Sequence, residues 1–230
     1  MSTIVPHHQF EVRYTTILDF SNVIRTPIAP FVKLAKRINI ENEGSHNERI
    51  TLAFDDEYYQ IIVTWDRLII RYEGDKDNLS KNNSIIDEPF FNILGKIKEL
   101  DNFGEINNTL YYSFIIHQIE ITKEELLKKF IAKYLINTQK ILNDPTDVAV
   151  TLDNKIGGTQ ISLNFGPYFG EDDLKKRNIT VKNPIVNELA KSLGLCCEFK
   201  FHNLLKTISF ADYKEITKTE KEYIQKIWEL

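Results

Sequence analysis

Apolar and polar positions alternate cleanly over residues 10–18, where Phe10, Val12, Tyr14 and Leu18 share one face and Glu11, Arg13 and Thr15 take the other. That period of two predicts a half-buried strand. Pro27 and Pro30 punctuate the chain, and Phe31, Leu34, Ala35 and Ile38 then recur at helical spacing. Residues 41–48 are polar around Gly44 and predict a loop. Residues 50–54 and 59–72 are β-rich, the second run turning near Asp66-Arg67. Residues 74–84 form another polar loop. Asp87 is placed as an N-cap with Pro89 in the first turn, ahead of a stripe of Phe90, Ile93, Leu94, Ile97 and Leu100.

The second half repeats that order. Residues 110–121 are apolar on both faces and predict a central strand covered twice. Thr122 and Glu125 match a capping box for a helix that buries Leu126, Leu127, Phe130, Ile131, Tyr134 and Leu135. Residues 148–152 and 159–165 predict a hairpin around Gly157-Gly158. A break at Gly166-Pro167 and an acidic stretch precede a helix opened by Pro184 and stopped by Gly194. Residues 195–201 add a strand. Thr217 and Glu220 match a second capping box, for a closing helix.

The implied fold class is α+β: two tandem β-α-β-β-α lobes with mostly antiparallel sheet, compatible with one continuous sheet, plus a C-terminal helix. The lobes fall at residues 1–105 and 106–230, which a single compact domain can also accommodate. A Rossmann-type fold is disfavoured because no regular parallel β-α-β series occurs.

Composition narrows the chemistry only a little. The 230 residues carry 29 basic and 33 acidic side chains, a net charge of −4. That sign argues against nucleic acid as partner, although a local basic patch is compatible with it. No secretory leader and no run of ~18 apolar residues is visible, so no membrane is expected. Cys196 and Cys197 are the two cysteines, and on a strand adjacent side chains point to opposite faces, so they read as small apolar core residues in a reducing cytoplasm.

Motifs for chemistry are sparse. Neither G-x-x-x-x-G-K-[ST] nor G-x-G-x-x-G occurs, and no nucleophile elbow. No cofactor and no metal are therefore expected. His7 and His8 are placed at a loose terminus, and His117 reads as a buried structural histidine on the central strand. The triplet Glu198-Phe199-Lys200 puts an acid and a lysine on one strand face, as metal-dependent nucleases require, with Asp153, or else Asp173, the candidate second acid. Four acid-x-lysine triplets occur, at 153, 173, 198 and 212, about what composition alone supplies. Asp55-Asp56-Glu57 reads as a charged turn, and Glu171-Asp172-Asp173 as a helix N-terminus that complements the dipole.

Aromatic residues gather at Tyr58-Tyr59, Tyr111-Tyr112 and Phe165–Phe169. Rings in a Gly/Pro loop are not expected all to turn inward, which makes Phe165, Tyr168 and Phe169 candidate partner-binding residues. The leading expectation is a non-enzymatic binding or assembly subunit acting through a sheet face and this aromatic loop, on another protein or a second copy. The alternatives are a metal-dependent nuclease or phosphodiesterase using Glu198, Lys200 and Asp153, and a small-ligand sensor with a pocket between the lobes.

Overall fold

A computed structural model describes residues 2–54, 58–81, 86–135, 145–204 and 207–228. Its frame is one nine-stranded sheet in the order β2-β3-β4-β5-β1-β6-β9-β8-β7, with every neighbouring pair antiparallel. The strands are β1 (Thr3–Tyr14), β2 (Arg37–Glu41), β3 (Arg49–Phe54), β4 (Tyr59–Thr64), β5 (Arg67–Asp75), β6 (Ile106–Gln118), β7 (Val150–Ile156), β8 (Thr159–Tyr168) and β9 (Gly194–Asn203). Outward from the central β1–β6 pair, β5-β4-β3 on one side and β9-β8-β7 on the other follow the same order. Mixed helix and strand content and a closing C-terminal helix agree with the α+β class.

β1 begins seven residues earlier than the alternation suggests, so His7 and His8 lie in the middle of the sheet rather than on a loose end. Pro6 lacks an N–H, and the strand accommodates it with a bulge. The three steps from Val5 to His8 span two steps of β5, and the three from Ile4 to His7 span two of β6. The extra residue resets the alternation, putting His8, Phe10, Val12 and Tyr14 on one face and His7, Gln9, Glu11 and Arg13 on the other.

The first face carries the main core. Helices α1 (Phe20–Val23), α2 (Arg25–Val32), α3 (Lys76–Lys81), α4 (Asn92–Lys98), α5 (Lys123–Tyr134) and α8 (Phe210–Trp228) cover it, with a π-helical turn (Ile86–Phe91) leading into α4. Phe10 sits at its centre, 4.9 Å from Tyr213 and 5.5 Å from Phe90 between ring centroids. A second, smaller core lies on the opposite face. There Ile4, Phe114, Ile116, Tyr168 and Cys196 pack under α6 (Glu171–Lys176) and α7 (Pro184–Leu189). Cys196 and Cys197 enter opposite cores, as their adjacency requires, and burial pushes the Cys196 thiol up to about 12.

Several elements differ from the sequence pattern. The helix expected after Pro30 ends there instead: α2 starts at Arg25, Pro27 occupies its first turn, and Ile38 joins edge strand β2. A short apolar run fits either period, and pairing of β2 with β3 decides it. Residues 76–81 are helical rather than loop. The Asp55-Asp56-Glu57 turn lies outside the described residues, as do the side chain of Asp87 and its capping. Gly166-Pro167 does not break the chain but continues β8. A Cβ at Gly166 would stand 2.6 Å from the Val148 carbonyl oxygen, which is why this strand position needs glycine. β7 pairs with β8 only as far as Phe165, so Pro167 withholds no ladder donor on that side. Helix α8 starts at Phe210, two turns ahead of the expected cap. Its capping box is Ser209 with Asp212, whose amide and carboxylate exchange hydrogen bonds of 3.3 and 2.7 Å, while Thr217 donates back to Lys214 inside the helix. By contrast the Thr122 cap accepts from Glu125 N at 3.2 Å, and the Gly157-Gly158 turn closes its hairpin with Gly157 at φ 57°.

Candidate functional site

The sheet face that α6 and α7 only partly cover is polar, and it collects arginine. Strand register builds it row by row. One row crosses all nine strands as Arg37, Ala53, Gln60, Arg71, Gln9, Tyr112, Lys200, Ser162 and Asp153, each opposite the next. The neighbouring rows contribute Glu11 and His202, then Arg49, Arg67 and Arg13. Together with Arg177, at the end of α6, six of the chain's seven arginines stand on or over this face. The seventh, Arg25, belongs to the helical side, where it pairs with Glu43 at 2.8 Å.

A cleft of about 470 Å³ opens on this face where the α6–α7 connection meets β4, β5 and β1. His7, Tyr58, Gln60, Arg71, Tyr72 and Glu73 line it from the first half of the chain, and Tyr112 with residues 177–180 and Lys182 from the second. Its walls are fixed by two anchors. Glu73 accepts hydrogen bonds from the amides of Lys182 at 2.6 Å and Asn183 at 2.9 Å, which pins the connection to β5. Arg177 donates to Glu198 at 3.0 Å and lies 5.2 Å above the Phe114 ring, which pins α6 to β9 and β6.

Arg71 is different. It is half-buried, its Nε donates to Gln9 Oε1 at 3.2 Å, and among the described residues no carboxylate lies in ion-pairing range of it. Burial, and then the nearby Arg49 charge, lower its pKa from the ordinary arginine value, against the opposing pull of the Glu11 and Glu73 charges. Burial and the Arg71 charge likewise bring His7 down to about 4, so its ring is neutral at pH 7 with one donor and one acceptor nitrogen. Burial, with the Glu198 charge, raises the Tyr112 phenol, which stays protonated and able to donate. A half-buried cation that no described carboxylate contacts directly, flanked by neutral donors, is a geometry that accepts an anion.

The residues singled out from sequence distribute as follows. Glu198 and Lys200 share a strand face, but both carboxylate oxygens of Glu198 already serve cations, Arg177 and, at 3.4 Å, Lys200. Asp153 sits two strands from Lys200, ~10 Å by strand spacing, and an additional two residues along from Glu198. The two acids therefore do not converge, and among the described residues no three His, Cys, Asp or Glu side chains do. Phe165 is 3% exposed and Tyr168 0%, because residues 166–168 are strand, not loop. The Tyr168 hydroxyl donates to the Ala190 carbonyl at 2.6 Å. Phe169 is half-buried beneath the Lys123 ammonium, 4.3 Å from its ring. His117 is half-buried, stacked on Trp228 at 5.4 Å and bonded through Nδ1 to Thr3 at 2.9 Å. Asp173 is buried and accepts from Phe169 N, so the acidic stretch is more than a solvated helix start.

Arg71, His7 and Tyr112 carried no motif. Their one trace in sequence is parity: Arg67, Arg71 and Glu73 share one side of a run whose alternate residues are apolar.

No protein-family model matches the chain, and no curated protein matches it in sequence. Among the described residues no helix is long and apolar enough to cross a membrane.

Proposed function

We propose that this chain is a non-enzymatic binding protein whose working surface is the open sheet face, and that the cleft at Arg71 receives a small anionic ligand. The two halves are read as tandem lobes sharing one sheet, which places the cleft at their junction. The observation that carries the reading is the half-buried Arg71 guanidinium, without a carboxylate partner among the described residues, in a cavity lined from both halves. Its volume falls in the ~300–1,000 Å³ range of small-molecule sites. The small-ligand reading is preferred to the aromatic-loop docking site, since Phe165 and Tyr168 offer no exposed ring.

The test is a thermal-shift and calorimetric panel of inorganic phosphate, nucleoside monophosphates and dicarboxylates against wild type and Arg71→Met. Methionine keeps the buried stem and removes the charge. A ligand at ~100 times its Kd stabilises the native state by about 2.7 kcal/mol, a shift of several degrees. Binding by wild type and its loss in Arg71→Met support the reading. No response to any anion, or an equal response in Arg71→Met, overturns it.

A further inference from the structure

We propose that the cleft is one end of a longer track and that its ligand is a short single-stranded nucleic acid laid across β5, β1, β6 and β9. This rests on the cleft reading and names its ligand class. A second depression of about 390 Å³ lies on the same face, lined by Arg13, Asn108, Leu110, Gln160, Ser162, Lys200 and His202. The two hollows meet at one cross-strand pair. Tyr112 borders the first, Lys200 borders the second, the two residues are register partners, and the Lys200 ammonium lies 5.5 Å from the Tyr112 ring. From Arg71 to Lys200 is three strand spacings, ~14 Å. A single inorganic anion cannot reach both cations, whereas an oligonucleotide can.

What lies between the cations selects among oligo-anions. Half-buried Tyr112 and His7 border the centre of the track, their ring centroids 5.5 Å apart and planes tilted by 54°, and Gln60, Asn108 and Gln160 flank it with amides that can meet base edges. Base stacking on aromatic rings beside a cationic groove is how single strands are held without a fixed sequence. An inorganic polyphosphate uses the cations and leaves the rings idle. The carboxylates along the track from β5 to β9 are already engaged: Glu11 by Arg13 and Arg67, Glu198 by Arg177 and Lys200, and Glu73 by two backbone amides, while Asp153 lies on β7, two strands beyond Lys200. The chain's net charge of −4 therefore does not describe this surface.

The experiment is fluorescence anisotropy of the full chain with a labelled eight-nucleotide oligouridylate. Competitors are uridine monophosphate, oligouridylates of two and four nucleotides, and polyphosphate of matched charge. Competition is expected to strengthen at least tenfold from the monophosphate to the tetranucleotide and then level off. Arg71→Met is expected to weaken every nucleotide competitor. Lys200→Met weakens only the longer ones, and Tyr112→Leu weakens oligonucleotides about tenfold while sparing polyphosphate. Circular dichroism melting confirms that each variant folds. If the monophosphate binds and added length gains nothing, the track is wrong and the cleft stands. If polyphosphate competes equally and Tyr112→Leu is silent, the nucleic-acid identity is wrong. If neither monophosphate nor oligonucleotide binds, the nucleic-acid reading falls, and the cleft reading falls with it only if inorganic phosphate and dicarboxylates also fail to bind.

Discussion

Tyr168→Ala separates a buried structural ring from an exposed docking ring. The side chain is 0% exposed in the second core, 6.3 Å from Phe114 between ring centroids, and its hydroxyl donates to Ala190 O at 2.6 Å. Truncation removes an aromatic group of the kind whose deletion costs about 3–5 kcal/mol. It also leaves the Ala190 carbonyl without that donor. Tyr168→Phe isolates this second effect at about 1–2 kcal/mol. Against a typical stability of about 5–15 kcal/mol, Tyr168→Ala should lower the urea midpoint severely, and Phe169→Ala, half-buried, by much less. Urea titration followed by far-ultraviolet circular dichroism measures all three. A Tyr168→Ala midpoint matching wild type would refute the burial and restore an outward ring.

Further expectations follow from other elements. Glu220, fully buried on α8, accepts from Tyr111 at 2.9 Å and pairs with Lys76; Glu220→Ala should cost about 3–5 kcal/mol, and the double variant with Lys76→Met should recover part of it in a double-mutant cycle. His7 at about 4, and His8 held well below 6.5 by burial and then by Lys76, bind protons more readily unfolded than folded. Stability is then full above pH 6.5 and falls as pH drops toward 4, by about 3 kcal/mol for His7 alone, and His7→Gln should reduce the pH 5–6.5 slope of a denaturation series to the part that His8 supplies. Gly166→Ala drives a Cβ against the Val148 carbonyl, so its melting temperature should drop by several degrees, whereas Gly95→Ala, with open space around it, should not destabilise.

Legibility in the sequence followed how local each determinant is. β-rich runs located β3 to β5, a doubly apolar run located β6, and the hairpin and closing strand located β7 to β9; the Thr122 cap and Gly157 turn were visible because each depends on neighbours in sequence. Pro6 hid the start of β1, because the bulge that accommodates it exists only when β5 and β6 flank the strand. Thr217 and Glu220 imitated a cap while the carboxylate was paired with Lys76, 144 residues away. The aromatic segment misled for a similar reason: Gly166 and Pro167 read as a break, yet a close backbone at Gly166 and a strand end left open on its β7 side at Pro167 make them suitable for β8. The cleft was least legible of all. A single row of register across β5, β1, β6 and β9 brings Arg71, Tyr112 and Lys200 together, and an overall charge averages away the gathering of six arginines on one face.

Because the chain has only seven arginines, their Nε–H groups can be followed individually by ¹⁵N-correlated nuclear magnetic resonance, assigned with single Arg→Lys variants. Titration with uridine monophosphate should shift the Arg71 signal saturably and leave Arg25, on the helical side, in place. An Arg71 signal that does not move while others do, or that moves no more than Arg25, would contradict the assignment of this cleft as the binding site.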